Sequence, residues 1–360
     1  MNEDDKLTAL ARQALYAAAR DDLGLFTSLI FGAIEPETVF KAAPHFQVLS
    51  RALQDVLDGK TPRLLLAVPP RFGKAMLGSV ALPAFALGRQ PGLKVICASY
   101  GDQLAKDFAL KTRNVMTSEA YAAIFPGAAL EGASALEELK TPKKGYRLAT
   151  SVGGVVTGKG ANLIIIDDPL KAIEAESEPA RRTAYDWVKG SLMSRFDLGE
   201  LGRMIVIMQR LHQDDLIGRL KAEEGWKVLE MPARAIEPLS FDLGGGKTWS
   251  LKGGDLLYPE GLGEAALAER RASMSEAAFN AQYLQRPDAA GGTLFKLKHF
   301  QRYEQRPYDH HIELIVQSWD LALSEEDNPE GCFSVCTTWA ICGLKLYLLH
   351  VFRRKLEFHS

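Results

Sequence analysis

Residues 63–76, RLLLAVPPRFGKAM, constrain this chain more than any other stretch. Leu64 to Val68 are aliphatic throughout and read as a short buried strand. Pro69 and Pro70 end it, because proline has no N–H to give to a ladder. Gly73 permits an unusual backbone turn, and Lys74, Ala75 and Met76 lead into an apolar helical stretch. Strand, tight turn, Gly-Lys and helix together outline a phosphate-binding loop. Backbone N–H groups at a helix N-terminus meet the anion, and the lysine reaches its outer oxygens. The outline departs from G-x-x-x-x-G-K-[ST] in two places: Val68 stands where a glycine belongs, and Ala75 where Ser or Thr belongs. The second departure matters more, since that hydroxyl normally ligates Mg²⁺. By itself the stretch is equally compatible with a plain strand–turn–helix corner.

At 360 residues, 47% hydrophobic and 24% charged, the chain allows two or three domains, each with its own core. A net charge of −2 gives no global attraction for nucleic acid, so any DNA contact needs local basic patches. The acidic start, MNEDDKLTAL, lacks the basic and apolar regions of a signal peptide. No apolar run approaches the roughly 18 residues a membrane helix needs. Cys97, Cys332, Cys336 and Cys342 fit a reducing cytoplasm, and the last three read as core or face thiols rather than zinc ligands.

Apolar positions recurring at three and four predict helices over 6–31 and an amphipathic helix within 39–57. Gln47 lies there, ahead of the first core strand, where its amide could read an adenine edge or simply face solvent. A helix over 75–88 is expected to kink at Pro83. Buried strands are read at 94–99, 146–152, 163–168 and 204–209, separated by helices that include 101–116 and 175–196. Such alternation predicts right-handed βαβ crossovers and a mainly parallel sheet. Residues 236–262 read as an excursion or linker, 264–285 as helix, and 286–292 as a break. Three strand-like runs after that suggest a meander.

LIIIDD, residues 163–168, is the strongest single signal. A buried parallel strand ending in Asp167 and Asp168 delivers two carboxylates to the C-terminal edge of the sheet, where open α/β folds bind ligands. Asp167 would help hold Mg²⁺, and Asp168 would orient or deprotonate an attacking water. Two acids that merely end a strand are the plainer alternative, and the upstream Gly-Lys loop weighs against it. Arg71 could stabilise charge building on a γ-phosphate, or be a solvated turn residue. Gln209 and Arg210 end the next strand, where a polar residue can touch the γ-phosphate and report its presence to the following helix. His212, Asp214 and Asp215 look like metal ligands but suit a cap-and-dipole role better. Two apparent loops are declined. Gly153 to Lys159 leads into a strand and not a helix, and Gly246-Lys247-Thr248 lacks a preceding strand. Asp320, in VQSWDLAL, could be the first acid of a two-metal phosphodiesterase or a simple strand-end acid. Glu325, Glu326, Asp327 and Glu330 read as a solvated loop, poor as further ligands.

In that order, AVPPRFGKAM, SYGDQLA, VVTGKGANLIIIDDP, VIMQRLHQDDLIG, QSWDLA and YLLHVFRRKLEF resemble the large terminase subunit of tailed bacteriophages or prophages, over nearly the whole chain. The resemblance implies an α/β protein: an ASCE-type P-loop ATPase with a mainly parallel sheet, followed by the start of an RNase H-like nuclease. It implies a helical segment over 1–45, the ATPase over 46–235, a linker and helical region over 236–305, and the nuclease part over 306–360. It assigns Pro70, Arg71, Phe72, Gly73, Lys74 and Ala75 to the nucleotide loop, with Gln47 on the adenine side. Asp168 and Arg71 become catalytic, Asp167 a Mg²⁺ ligand, and Gln209 and Arg210 the coupling motif. Asp320 becomes the first acid of the nuclease, with its divalent metal.

The same resemblance implies ATP and Mg²⁺ at the motor site. Its partners would be double-stranded DNA, a small terminase subunit, a portal protein and other copies in a ring, all in the host bacterial cytoplasm and none in a membrane. DNA phosphates would meet Lys106, Lys111, Arg113 and the Arg353-Arg354-Lys355 cluster, though solvated faces explain these residues equally well. Two departures from the family shape the expectation. By analogy with losing one preorganised group, Ala75 is expected to lower turnover roughly 10²–10³-fold. The chain also ends at Ser360, before the further acids of the family's nuclease, so no metal-dependent nuclease activity is expected of it. A non-catalytic nucleotide-binding scaffold, from a decayed prophage gene or an altered sequence, is the alternative.

Overall fold

The aliphatic runs form a seven-stranded sheet whose central strands are buried on both faces. The computed structural model describes residues 3–132, 135–154, 156, 158–197, 202–287, 300–321 and 334–354. Contacts divide the chain into two units, Met1–Gly291 and Gly292–Ser360. The first opens with helices α1 (Glu3–Ala19), α2 (Leu23–Ile34) and α3 (Pro44–Leu57). Strand β1 (Arg63–Ala67) is followed by a π-helical segment, Met76–Ala81, and by α4 (Leu82–Arg89). Next come β2 (Lys94–Ser99), α5 (Asp102–Met116), α6 (Glu119–Ile124), β3 (Glu138–Lys140), β4 (Tyr146–Ser151) and β5 (Leu163–Asp167). After α7 (Glu178–Trp187) the chain runs through β6 (Arg203–Met208), α8 (Leu216–Lys221) and β7 (Lys227–Glu230). A hairpin, β8 (Leu239–Gly244) and β9 (Lys247–Leu251), then precedes α9 (Glu264–Ala272) and α10 (Glu276–Gln282).

The sheet order is β3-β4-β2-β5-β6-β1-β7, parallel except for the β3–β4 pair. Side chains alternate between two cores, as the two-residue period of a strand requires. Leu64, Leu66, Leu163, Ile165, Ile205 and Ile207 fill the one shared with α2, α3 and α4. Leu65, Ala67, Ile164, Ile166, Met204 and Val206 fill the other, with Trp187, Ile217 and Leu220. A mainly parallel sheet with both faces covered is the architecture that the strand–helix alternation predicts.

Helices α9 and α10 fall within the stretch read as helical, whereas the 236–262 excursion is more than a linker. Phe241, Leu251, Leu257, Leu267, Phe279 and Tyr283 are buried in the first of those cores. Glycines and polar residues hide this in the sequence, because the hairpin buries only a few of its side chains. The second unit contains an antiparallel meander of β10 (Leu314–Asp320), β11 (Ser334–Cys342) and β12 (Lys345–Arg354), in that order. The expected irregularity at Pro83 begins earlier, as the π-helical segment ahead of α4.

His45, on α3, is nearly fully buried against Phe72 and Tyr258, with ring centroids 5.6 and 4.7 Å away. Burial pushes its imidazole down from 6.5 to about 4, outweighing upward pulls from the Phe72 backbone and Glu260. The unfolded chain therefore takes up a proton near pH 6.5 that the native state refuses, so stability falls as pH drops toward about 4. Between pH 7 and pH 5 this one group is expected to cost about 2 kcal/mol. Urea denaturation at both pH values should show a smaller acid loss for His45→Phe than for the parent chain. An equal loss in both would remove His45 as the cause.

Candidate nucleotide site

Strand order decides which side chains meet. β6 lies between β1 and β5, and all three run in the same direction. The loop after β1, the acids ending β5 and the residues after β6 therefore share the C-terminal edge of the sheet. Ladder bonds continue past the strand ends: Val68 N–H donates to the Met208 carbonyl at 3.0 Å, and Asp168 N–H to the Ile207 carbonyl at 2.8 Å. Gln209 is thereby set between Lys74 and Asp168.

Lys74 is nearly buried. Its Nζ donates to Gln209 Oε1 and lies 3.1 Å from Asp168 Oδ2. Gln209 N–H in turn donates to Asp168 Oδ1 at 3.3 Å. Loop and acids are thus already assembled, the lysine resting on Gln209 and Asp168. The backbone is strained at the same place. Among the described residues four non-glycine positions have positive φ, and Arg71 (67°) and Asp168 (43°) are two of them. Gly73, at φ 77°, adopts a turn that only glycine takes without strain. Arg71 is exposed, whereas the Phe72 ring is turned into the core beside His45 and Tyr258 and anchors the loop.

Asp167 shares the parity of Leu163 and Ile165 along β5, and only 1% of it is exposed. Burial first, and then the Asp168 charge, pushes its carboxyl up to about 7, while Lys74 and a Ser79 hydrogen bond pull the other way. Ser79 Oγ donates to Asp167 Oδ2 at 2.7 Å, whereas Oδ1 has no hydrogen-bond partner. A buried carboxylate oxygen without a partner fits a divalent cation, so Asp167 meets the requirement for the Mg²⁺ that a phosphate loop implies. Ala75 offers no second oxygen.

Arg210 turns away from the loop and is locked in place. Its Nε lies 3.0 Å from both Asp215 oxygens, and its Nη2 donates to the His212 and Gln213 carbonyls. Asp215 also caps α8 by accepting from Gly218 N–H at 2.9 Å, the role expected of the acids there. Arg210 N–H donates to Oε1 of buried Gln285, a third positive-φ residue (55°). Sequence reasoning missed Ser79 and Gln285. Ser79 follows Ala75 by one helical turn, a spacing that could have drawn attention to it.

Gln47 lies on α3, exposed in a cleft of about 700 Å³ that Phe46, Ser50, Arg51 and Lys247 also line. α3 abuts the loop, since a Cβ on Gly73 would come within 3.7 Å of the Phe46 ring. The two declined loops are ordinary. Lys159 pairs with Glu138 at 2.6 Å, and Gly246 belongs to the β8–β9 turn. Lys106 and Lys111 pair with Glu137 at 3.0 Å and with Glu35 on half-exposed helix faces. Arg354 lies over the Phe352 ring, and Lys355 falls outside the described residues. Asp320 ends β10, exposed and opposite Val335. No cluster of three potential metal ligands occurs among the described residues, and Glu325, Glu326, Asp327 and Glu330 fall outside them. Cys97, Cys336 and Cys342 are free thiols.

No family model and no curated protein matches the sequence. Solved structures do. The large terminase of bacteriophage HK97 aligns over 91% of this chain at 10% identity and a TM-score of 0.45. In structure, this chain resembles phage large terminases. An arginine-to-alanine mutant of the ATPase domain from the Thermus phage P74-26 large terminase aligns over 68% of this chain and 98% of its own length, with 12% identity and a TM-score of 0.45. The large terminase of a thermophilic bacteriophage, solved with ADP, aligns over 84% of this chain and 67% of its own, with 12% identity and a TM-score of 0.38. The chain spans 66% of the HK97 protein. No helix among the described residues is long and apolar enough to cross a membrane.

Removing Arg210 would leave the fully buried Asp215 carboxylate without its cation. Arg210→Ala is therefore expected to destabilise the first unit by about 3–5 kcal/mol. Urea denaturation followed by tryptophan fluorescence would show it. A change within ordinary surface effects would mean that the pair contributes little.

Proposed function

We propose that this chain is a terminase-type ATPase that drives double-stranded DNA into a viral procapsid. The observation that supports this best is the meeting of Lys74, Gln209, Asp167 and Asp168 at one sheet edge, imposed by the β1-β6-β5 order. An incoming triphosphate would offer Lys74 new oxygens in place of Asp168. Loop N–H groups would hold the inner phosphates. Asp168, released from the lysine, would orient the attacking water, and Arg71 would meet charge building on the γ-phosphate. Gln209 would lose or keep its bond to Lys74 according to whether phosphate is present. Arg210, bonded to Gln285, would pass that difference on. Gln47 is proposed for the adenine side.

Asp167 would hold Mg²⁺ through its unpartnered Oδ1. When bound, the ion neutralises charge on the β- and γ-phosphates. Relatives solved with ADP and with ATP-gamma-S accord with nucleotide as the ligand. By the same resemblance Asp320 is proposed as the first carboxylate of a nuclease site with its own divalent metal. Double-stranded DNA, a small terminase subunit, a portal and a ring of identical copies are the proposed partners, in the host cytoplasm. Ala75 favours one other reading, a scaffold that binds nucleotide without turning it over.

Steady-state phosphate release with MgATP separates the two. Lys74→Ala is expected to abolish turnover, and Ala75→Ser to raise it by about 10²–10³-fold through the restored hydroxyl. Nucleotide binding with no turnover in either the parent chain or Ala75→Ser would favour the scaffold.

A further inference from the structure

The loop lacks a hydroxyl at position 75, but the helix that follows supplies one a turn later. Ser79 is 2% exposed, and its Oγ donates to Asp167 Oδ2 at 2.7 Å. Three features hold it there. Gly78 lets the helix lie close on β6, since a Cβ at that position would come within 2.1 Å of Ile207 Cδ1. Pro83, four residues on, has no N–H for the Ser79 carbonyl, which is approached instead by Arg147 Nη2 at 3.4 Å and Thr112 Oγ1 at 3.5 Å. Arg147 and Thr112 are themselves fully buried. The helix also departs from the α register around Ser79, with Leu82 N–H donating to the Leu77 carbonyl five residues back. Such π segments are frequent at functional sites.

The result is a carboxylate with one oxygen tied down and the other left without a partner. We propose that Ser79 is a positioning residue for the divalent-cation site: by holding Asp167 Oδ2, it fixes the carboxylate so that Oδ1 is the oxygen offered to the metal of a metal–nucleotide complex. Ser79 does not replace the missing ligand at position 75. It orients the ligand that remains, as groups hydrogen-bonded to a metal's direct ligands do. The inference rests on the nucleotide reading of the site.

The test uses the full chain with Mn²⁺ and ADP as probes. Electron paramagnetic resonance reads Mn²⁺ affinity in the presence of ADP, and a fluorescent ADP analogue in EDTA reads metal-free nucleotide affinity. Ser79→Ala and the near-isosteric Ser79→Cys are expected to weaken Mn²⁺ binding roughly 10–100-fold and to change metal-free nucleotide affinity less than about twofold. Ser79→Thr, which keeps the hydroxyl, should retain Mn²⁺ affinity. Unchanged Mn²⁺ affinity in a folded Ser79→Cys or Ser79→Ala protein would overturn the role of Ser79 and leave the nucleotide reading intact. Equal weakening with and without metal would mean that Ser79 only supports the loop. Failure of the parent chain to bind the ADP analogue at all would overturn the nucleotide reading and this inference with it.

Discussion

An ammonium buried as deeply as that of Lys74 is tolerable only where acceptors replace the water it has lost. Asp168 and Gln209 are those acceptors, and each arrives from a different strand. The placement of β6 between β1 and β5 makes this possible, and fully buried aliphatic faces fix that order on both sides of the sheet. The arrangement is also what makes the site responsive. On the proposed reading, phosphate oxygens would compete with Asp168 for one cation, so that whatever enters the loop would change the partners of Asp168 and Gln209 together. The strain at Arg71 and Asp168 is consistent with a preassembled site that the surrounding packing holds in place.

The same edge carries the route outward. Gln209 and Arg210 are consecutive, but one faces the lysine and the other is fixed by Asp215 and Gln285. On the proposed reading, a shift at Gln209 would pull on a residue that is already anchored. Gln285 closes the stretch that packs into the first core through Phe279 and Tyr283, which gives that stretch a direct hydrogen bond to the end of β6.

Much of this was legible in the amino-acid order, because parallel strands buried on both sides leave an unbroken aliphatic signature. Leu64 to Val68, Leu163 to Ile166 and Met204 to Met208 announce themselves, and the acids and Gly-Lys that follow them locate the edge. The hairpin at 239–251 was not legible, since its glycines and polar residues mask the few side chains it buries, Phe241 and Leu251 among them. Ser79 was hidden for a different reason. Its place one turn after Ala75 is a local signal, but the π segment that brings its hydroxyl onto the acidic strand is set by tertiary packing. The partners of Lys106 and Lys111, Glu137 and Glu35, were not legible because they are distant in sequence.

The most direct test of the central claim is a structure of the full chain with a non-hydrolysable ATP analogue and Mg²⁺. The account predicts phosphates in the 69–75 loop, Lys74 Nζ moved from Asp168 to a phosphate oxygen, and density for the cation at Asp167 Oδ1. A nucleotide bound elsewhere, or one in the loop with Lys74 still resting on Asp168 and Gln209, would contradict it.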